Sequence, residues 1–218
     1  MSEDINGEQS EVERSVEILP DEVLHFFQYL TDSGVGLGIQ GTSASKLTSI
    51  QKYGLIPGAN VTNIDDDPSV ASRVKTVEEL LEALKARARG TGDLVYALNL
   101  SPQHNPLLQQ AVEQGNAEVL LENLRKVVSV SFQHYHTQDA NGAVVVLRTE
   151  GFESGGHGGT PLFDSIRKPA PVEPSDIIAT FRSTSPAGKP LSSDVDRTVK
   201  QLISLRPTTK QATVSRTQ

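Results

Sequence analysis

Hydrophobic positions in the first half of the chain switch period repeatedly, and each switch predicts an element. Over 21–31, Val23, Phe26, Phe27 and Leu30 recur at three- and four-residue spacing, which predicts an amphipathic helix, with Gly34 beyond its end. Val35, Leu37 and Ile39 then alternate as a strand over 35–39. That strand runs into a tight Gly41-Thr42-Ser43 turn opening a short helix over 45–53, with Leu47, Ile50 and Leu55 inward and Gly54 as its stop. A polar loop at 60–72 follows. Thr76-Val77-Glu78-Glu79 forms a capping box for a helix through Leu80, Leu81 and Leu84, ending in Lys85, Arg87 and Arg89, where cations suit the dipole. Residues 93–100 alternate as a strand. Asn105-Pro106 supplies an N-cap and a proline at the first helical position, and Gly115 stops that helix. One more short helix is expected over 118–126.

The pattern in the second half turns to strands. Residues 127–136 and 143–149 are expected to pair as a hairpin around Asp139-Ala140-Asn141-Gly142, because Asn-Gly suits a tight turn. A glycine-rich loop is expected over 151–160. Strands over 165–172 and 177–183 follow, joined by Glu173-Pro174-Ser175-Asp176. Val195, Val199, Leu202 and Ile203 predict a helix over 193–205 after a loose 185–192 linker. No internal repeat is visible. The pattern is α+β, with helices mostly early and antiparallel strands mostly late. It divides into an acidic tail at 1–17, one domain at 18–184, and a 185–218 extension of linker, short helix and basic tail.

Composition narrows the function classes. With 218 residues, 36% of them hydrophobic, the chain has enough apolar surface for one medium domain. It has no cysteine, which excludes a disulfide scaffold and a thiolate metal site and fits a reducing, cytoplasmic setting. No apolar run is long enough to cross a membrane, and the start, Met1-Ser2-Glu3-Asp4, is acidic, so neither a membrane partner nor a secretory signal is expected. A net charge of −7 argues against broad nucleic-acid binding. The charge is uneven: 1–17 is rich in Glu, whereas 206–218 carries Lys and Arg and no acid.

Candidate chemistry begins at Gly38-Ile39-Gln40-Gly41-Thr42-Ser43. A strand ending in glycine at the mouth of a helix brings backbone close to a ligand and offers it free N–H groups. The pattern resembles the His-Gly-Thr-Ser opening of the ADP-ribosyltransferase-like fold, shared by NAD-dependent ADP-ribosyltransferases and tRNA 2′-phosphotransferases; Gln40 stands where the family usually has His. The strand from Asp93 to Pro102, with Tyr96, resembles the family's second motif. The run from Asp164 to Ile178 resembles its closing pair of strands. The resemblance covers about residues 35 to 183. It implies an antiparallel split sheet with peripheral helices, NAD as substrate, no metal, and a protein or nucleic-acid acceptor.

Breaking the nicotinamide–ribose bond builds positive charge on the sugar, so a carboxylate beside it would stabilise the reaction. By resemblance, Gln40 and Asp164 are the catalytic candidates, Gly41, Thr42 and Ser43 grip the ligand, and Tyr96 stacks on the leaving ring. Within its strand, Tyr96 shares a face with Leu94 and Leu98, so a core role competes with stacking. Asp164 replaces the more usual Glu, and Glu150 and Glu173 are alternative carboxylates, Glu173 also being placed to shape the turn before Ile177. Gln40 can donate to a ribose hydroxyl but cannot act as an acid or base. The phosphotransferase branch would need arginines converging on phosphates, for which Arg148, Arg167 and Arg182 are candidates, with solvent-facing sheet positions as the competing reading. His134 and His136 alternate onto one strand face at a spacing a divalent ion could use, but a third ligand from His104, His157 or Asp139 lies at no motif spacing. Gly155-Gly156-His157-Gly158-Gly159 lacks the Lys-Ser/Thr and helix of a P-loop; in the resembled fold His157 would lie near the acceptor. Transfer of ADP-ribose from NAD is therefore expected. The alternatives are a non-catalytic NAD- or ADP-ribose-binding module, and an interaction protein using the glycine-rich loop and tails.

Overall fold

The computed structural model describes residues 16–56, 79, 82, 85–86, 94–133, 141–160, 162–169, 171–184 and 191–208. The expected polar loop at 60–72, most of the helix from Thr76, and His134 and His136 lie outside these residues, as do the two tails. Among the described residues the fold is α+β, built on one antiparallel sheet of six strands in the order β4-β5-β2-β1-β3-β6. The strands are β1 (Leu37–Ser43), β2 (Val95–Asn99), β3 (Gly142–Arg148), β4 (Glu153–Thr160), β5 (Phe163–Lys168) and β6 (Ile177–Arg182). The helices are α1 (Pro20–Ser33), α2 (Leu47–Tyr53), α3 (Pro106–Glu113), α4 (Ala117–Gln133) and α5 (Ser192–Ile203).

Local signals place the early elements. α1 buries Val23, Phe26, Phe27 and Leu30, and Gly34 closes it in the left-handed region at φ 65°. Asn105 caps α3: its Oδ1 accepts from Leu107 N at 3.0 Å and Leu108 N at 3.1 Å, while Pro106 fills the first helical position.

Four expectations are corrected. The first strand does not stop at Ile39. It runs on through Gln40, Gly41, Thr42 and Ser43, each paired with β3, so Gly41-Thr42-Ser43 is strand rather than the turn at a helix mouth. The short helix after 118 does not give way to a strand at 127. Val127, Val128, Ser131 and Phe132 extend the buried stripe of Leu120, Leu121 and Leu124, and burial of that stripe overrides the strand preference of the valines. β3 therefore pairs with β1 and β6 instead of forming the expected hairpin. The glycine-rich 151–160 segment contains edge strand β4, not only loop. The helix near the C-terminus is not part of a loose extension. α5 buries Val195, Val199, Leu202 and Ile203 in the main core, so the packed unit reaches Pro207 instead of ending at 184.

The sheet has two unlike faces. On one, α1, α3, α4 and α5 cover Leu37 and Ile39 of β1, Val144 and Val146 of β3 and Phe163 of β5 in a large apolar core. On the other, α2, Leu55 and Val172 cover Val95, Ala97, Ala143, Val145, Leu147 and Ile166 in a smaller one. Asp194, buried at the start of α5, locks that helix to the end of β6: its Oδ2 accepts from Ser183 Oγ at 2.7 Å and Thr184 N at 2.9 Å, and its Oδ1 accepts from Thr184 Oγ1 at 2.7 Å and from Arg197 Nη2. Lys200 pairs with Glu22 at 2.6 Å, joining α5 to α1.

Candidate functional site

Pairing and alternation decide where each candidate side chain goes. Gln40 lies opposite Val145 and Thr42 opposite Ala143, which puts both on the smaller-core face. Gly41, opposite Val144, faces the helical layer. A Cβ at position 41 would stand 2.1 Å from the Ser131 carbonyl oxygen of α4. That glycine therefore makes room for a helix, not for a ligand. Ser43 is on the same helical side, and its Oγ lies 2.8 Å from Ser45 Oγ. Tyr96 alternates between Val95 and Ala97 of the smaller core, so it faces away from Gln40, and it is 50% exposed. At that exposure it is not the core tyrosine that competed with the stacking role.

Asp164 alternates with Ile166 and so shares the face of Gln40. β2 separates their strands, and Ile166, not Asp164, aligns through Ala97 toward the Gln40 row. The structure thus brings Gln40, Thr42 and Asp164 to one face, does not join Gln40 and Asp164 in one described cleft, and leaves Gly41, Ser43 and Tyr96 on the other face. Gln40 Oε1 is buried with no hydrogen-bond partner among the described residues. Of the alternative carboxylates, Glu173 accepts from Lys85 Nζ at 3.0 Å. Its carbonyl also accepts from Asp176 N at 2.9 Å, closing the turn before β6. Glu150 is exposed in the turn after β3.

The three arginines do not converge. Arg148 ends β3 opposite Leu37, whereas Arg182 pairs with Ala143 at the other end of that strand. Arg167 lies on β5, beyond β2 and β1 from both.

The concavity around Asp164 is a cleft of about 210 Å3 that also draws on Asn99, His104, Thr149, Glu153 and Ser154. A second cleft of about 290 Å3 adjoins it through His104 and Thr149 and reaches Gly36, Arg148 and Glu150. Two close approaches shape the junction. A Cβ at Gly36 would stand 2.2 Å from Thr149 Oγ1, and one at Gly38 would stand 3.0 Å from Thr149 Cγ2, so the side chain of Thr149 settles over the β1 entry only because glycine precedes and follows Leu37. The wall is held by Ser101, whose Oγ accepts from Leu37 N at 2.9 Å, while Ser101 N donates to Asn99 Oδ1 at 3.0 Å. Arg148 donates through Nη1 to the Thr208 carbonyl, and its buried Nε has no partner among the described residues. The adjoining clefts offer the carboxylates of Asp164 and Glu153 at one end and the Arg148 guanidinium beside the Glu150 carboxylate at the other.

Asn99, His104 and Thr149 were not singled out for this region from sequence. The available signal was the Asn99-Leu100-Ser101-Pro102 string, a side-chain-to-backbone turn marking where β2 ends against β1. No group of three or more His, Asp or Glu residues suited to a metal occurs among the described residues, and no described helix is long and apolar enough to cross a membrane. In comparisons with known proteins, no family model, no curated protein and no solved structure matches the chain.

Proposed function

We propose that the protein is a binding module for NAD or an ADP-ribose-like ligand that holds the ligand without transferring its ADP-ribose. The reading starts from the resemblance to the ADP-ribosyltransferase-like fold. The observation that carries it is the pair of clefts joined at His104 and Thr149. Each alone is below the size usual for a ligand of this class, and they lie side by side, so an extended two-part ligand would have to occupy both. Asp164 and Glu153 are acceptors for ribose hydroxyls, and the free Nε of Arg148 is a donor for a phosphate oxygen. Transfer would require a ring platform and a carboxylate beside the same sugar. Tyr96 lies across the sheet from Asp164, and Gln40 lines neither cleft.

Calorimetric titration with NAD and with ADP-ribose, with nicotinamide release assayed on the same samples, tests this. Binding without release is expected. In Asp164→Asn, binding should weaken by about tenfold or more, the effect of a lost charged hydrogen bond. Nicotinamide release that Asp164→Asn abolishes would replace the binding reading with transferase chemistry. No binding of either ligand at millimolar concentration would remove both.

A further inference from the structure

The chain after α5 is tied down in three places. Arg206 Nη1 folds back on the end of the helix, donating to the Ile203 carbonyl at 2.7 Å and the Leu205 carbonyl at 2.8 Å, and the guanidinium lies 5.2 Å from the centre of the Tyr29 ring. Tyr29 Oη donates to the Pro207 carbonyl at 2.8 Å, and Pro207 itself is buried. One residue further on, the Thr208 carbonyl accepts from Arg148 Nη1. The first two ties hold the segment to α5 and α1. The third engages the arginine that lines the second cleft.

That third tie differs from the others in what it leaves over. Arg148 carries five N–H groups and Thr208 takes one of them, while the buried Nε has no partner among the described residues. Thr208 is exposed, so the bond stands at the surface, where another acceptor can compete for it. A phosphate oxygen is a stronger acceptor for a guanidinium than a neutral carbonyl is. Glu150, exposed at the same cleft, opposes an anion, so an anionic ligand gains most when it has the guanidinium to itself.

We propose that residues 205–208 are a strap that competes with the ligand for Arg148: a diphosphate-bearing ligand entering the second cleft takes the guanidinium from the Thr208 carbonyl and loosens the chain beyond Pro207. The inference rests on the reading of Arg148 as the phosphate donor and adds the regulation of that site. Linkage makes the effect reciprocal, so the strap weakens the ligand by the factor by which the ligand weakens the strap. Only the fraction of molecules with the strap off binds at full strength, and the ties at Tyr29 and Arg206 set that fraction. Occupancy of the cleft is then transmitted to residues 209–218, which carry Lys210 and Arg216 and no acid.

Tryptic cleavage after Lys210, followed by mass spectrometry on the full chain, reads the strap. A protease must draw out the residues on both sides of the bond it cuts, and the preceding Arg206-Pro207 bond resists trypsin. Saturating ADP-ribose should speed this cleavage about threefold or more. Tyr29→Phe keeps the ring and removes one tie. It should speed cleavage without ligand and tighten ADP-ribose binding by about two- to tenfold in calorimetry. In Arg148→Lys, the ligand should no longer alter cleavage. Binding that leaves cleavage unchanged, or a Tyr29→Phe variant that binds no tighter, would overturn the strap and leave the binding reading standing. Faster cleavage with tripolyphosphate in a chain that does not bind ADP-ribose would keep the strap and remove that reading. If neither compound binds or alters cleavage, both fall.

Discussion

On the helical face of the sheet, Phe26, Phe27, Leu30, Leu120 and Leu124 are completely buried, and Gly41 lies under α4 with no room for a methyl group. On the opposite face the core is smaller, Gln40 Oε1 is buried without a partner among the described residues, and the two clefts open near its edge. One face is specified by close packing, where each atom has a neighbour. The other keeps one buried polar atom that has no partner among the described residues, and such an atom calls for one. Residues adjacent in sequence, such as Gln40 and Gly41, therefore answer to different physics, because a strand sends them to opposite sides.

That contrast can be broken most directly from the packed side. Phe27→Ala removes a ring in contact with Phe26 at 5.3 Å and Phe163 at 5.9 Å between centroids. It should cost about 3–5 kcal/mol in urea unfolding. A loss of less than about 1 kcal/mol would mean that the helical layer is loosely packed. Gly41→Ala forces α4 away from β1 and should cost about 2–3 kcal/mol. Gly34→Ala is the matched control: no non-neighbouring atom of the described residues lies within 4 Å of its added methyl, and only the left-handed backbone is strained, at about 1 kcal/mol. Equal costs would show that α4 has slack over the strand.

From the other face the expected effects are smaller. Gln40→Met keeps the volume and removes the buried Oε1 that has no partner among the described residues, so stability should be unchanged or rise by up to about 1 kcal/mol. A clear loss would reveal that a partner satisfies Gln40. The smallest effect is at the surface. The hydrogen bond from Lys200, then that from the Leu19 N–H, holds the Glu22 carboxyl below its ordinary value. A carboxyl depressed in the folded state contributes stability above its unfolded pKa and loses it as pH falls through the folded one. Glu22 is partly exposed and screened, so Glu22→Gln should cost no more than about 0.5 kcal/mol at neutral pH. The difference should vanish in acid denaturation series.

How much of this was legible in the chain follows the same division. α1 and α3 were readable because their signals are local: a three-four apolar stripe, an asparagine cap, a proline, a closing glycine. The continuation of α4 through Val127 and Val128 was not, since those side chains are strand-prone and only the contact with β1 and β3 decides between periods. The extension of β1 through Gly41, Thr42 and Ser43 was hidden for a related reason: the same residues suit a turn, and only the pairing with β3 shows that they remain in the strand. At the site, Asp164 could be named from a motif, but its neighbours His104 and Thr149 come from distant segments that no spacing rule connects. The face of Tyr96 was foreseeable from alternation with Leu98; that this face is not the one carrying Gln40 depended on the register of three strands.

The lock at Asp194 bears on how the chain is made. Its helix, α5, is translated some 160 residues after the end of α1, against which it packs: Lys200 meets Glu22, and Tyr29 donates to the Pro207 carbonyl at 2.8 Å. On the ribosome, the apolar stripe of α1 must wait for nearly the whole described chain before its final cover emerges. Contacts so distant along the chain carry a large closure entropy and slow the search for the native state. Until residue 207 clears the exit tunnel, an unfinished core is exposed, and nascent chains of this protein are natural clients for whatever shields hydrophobic surface during synthesis.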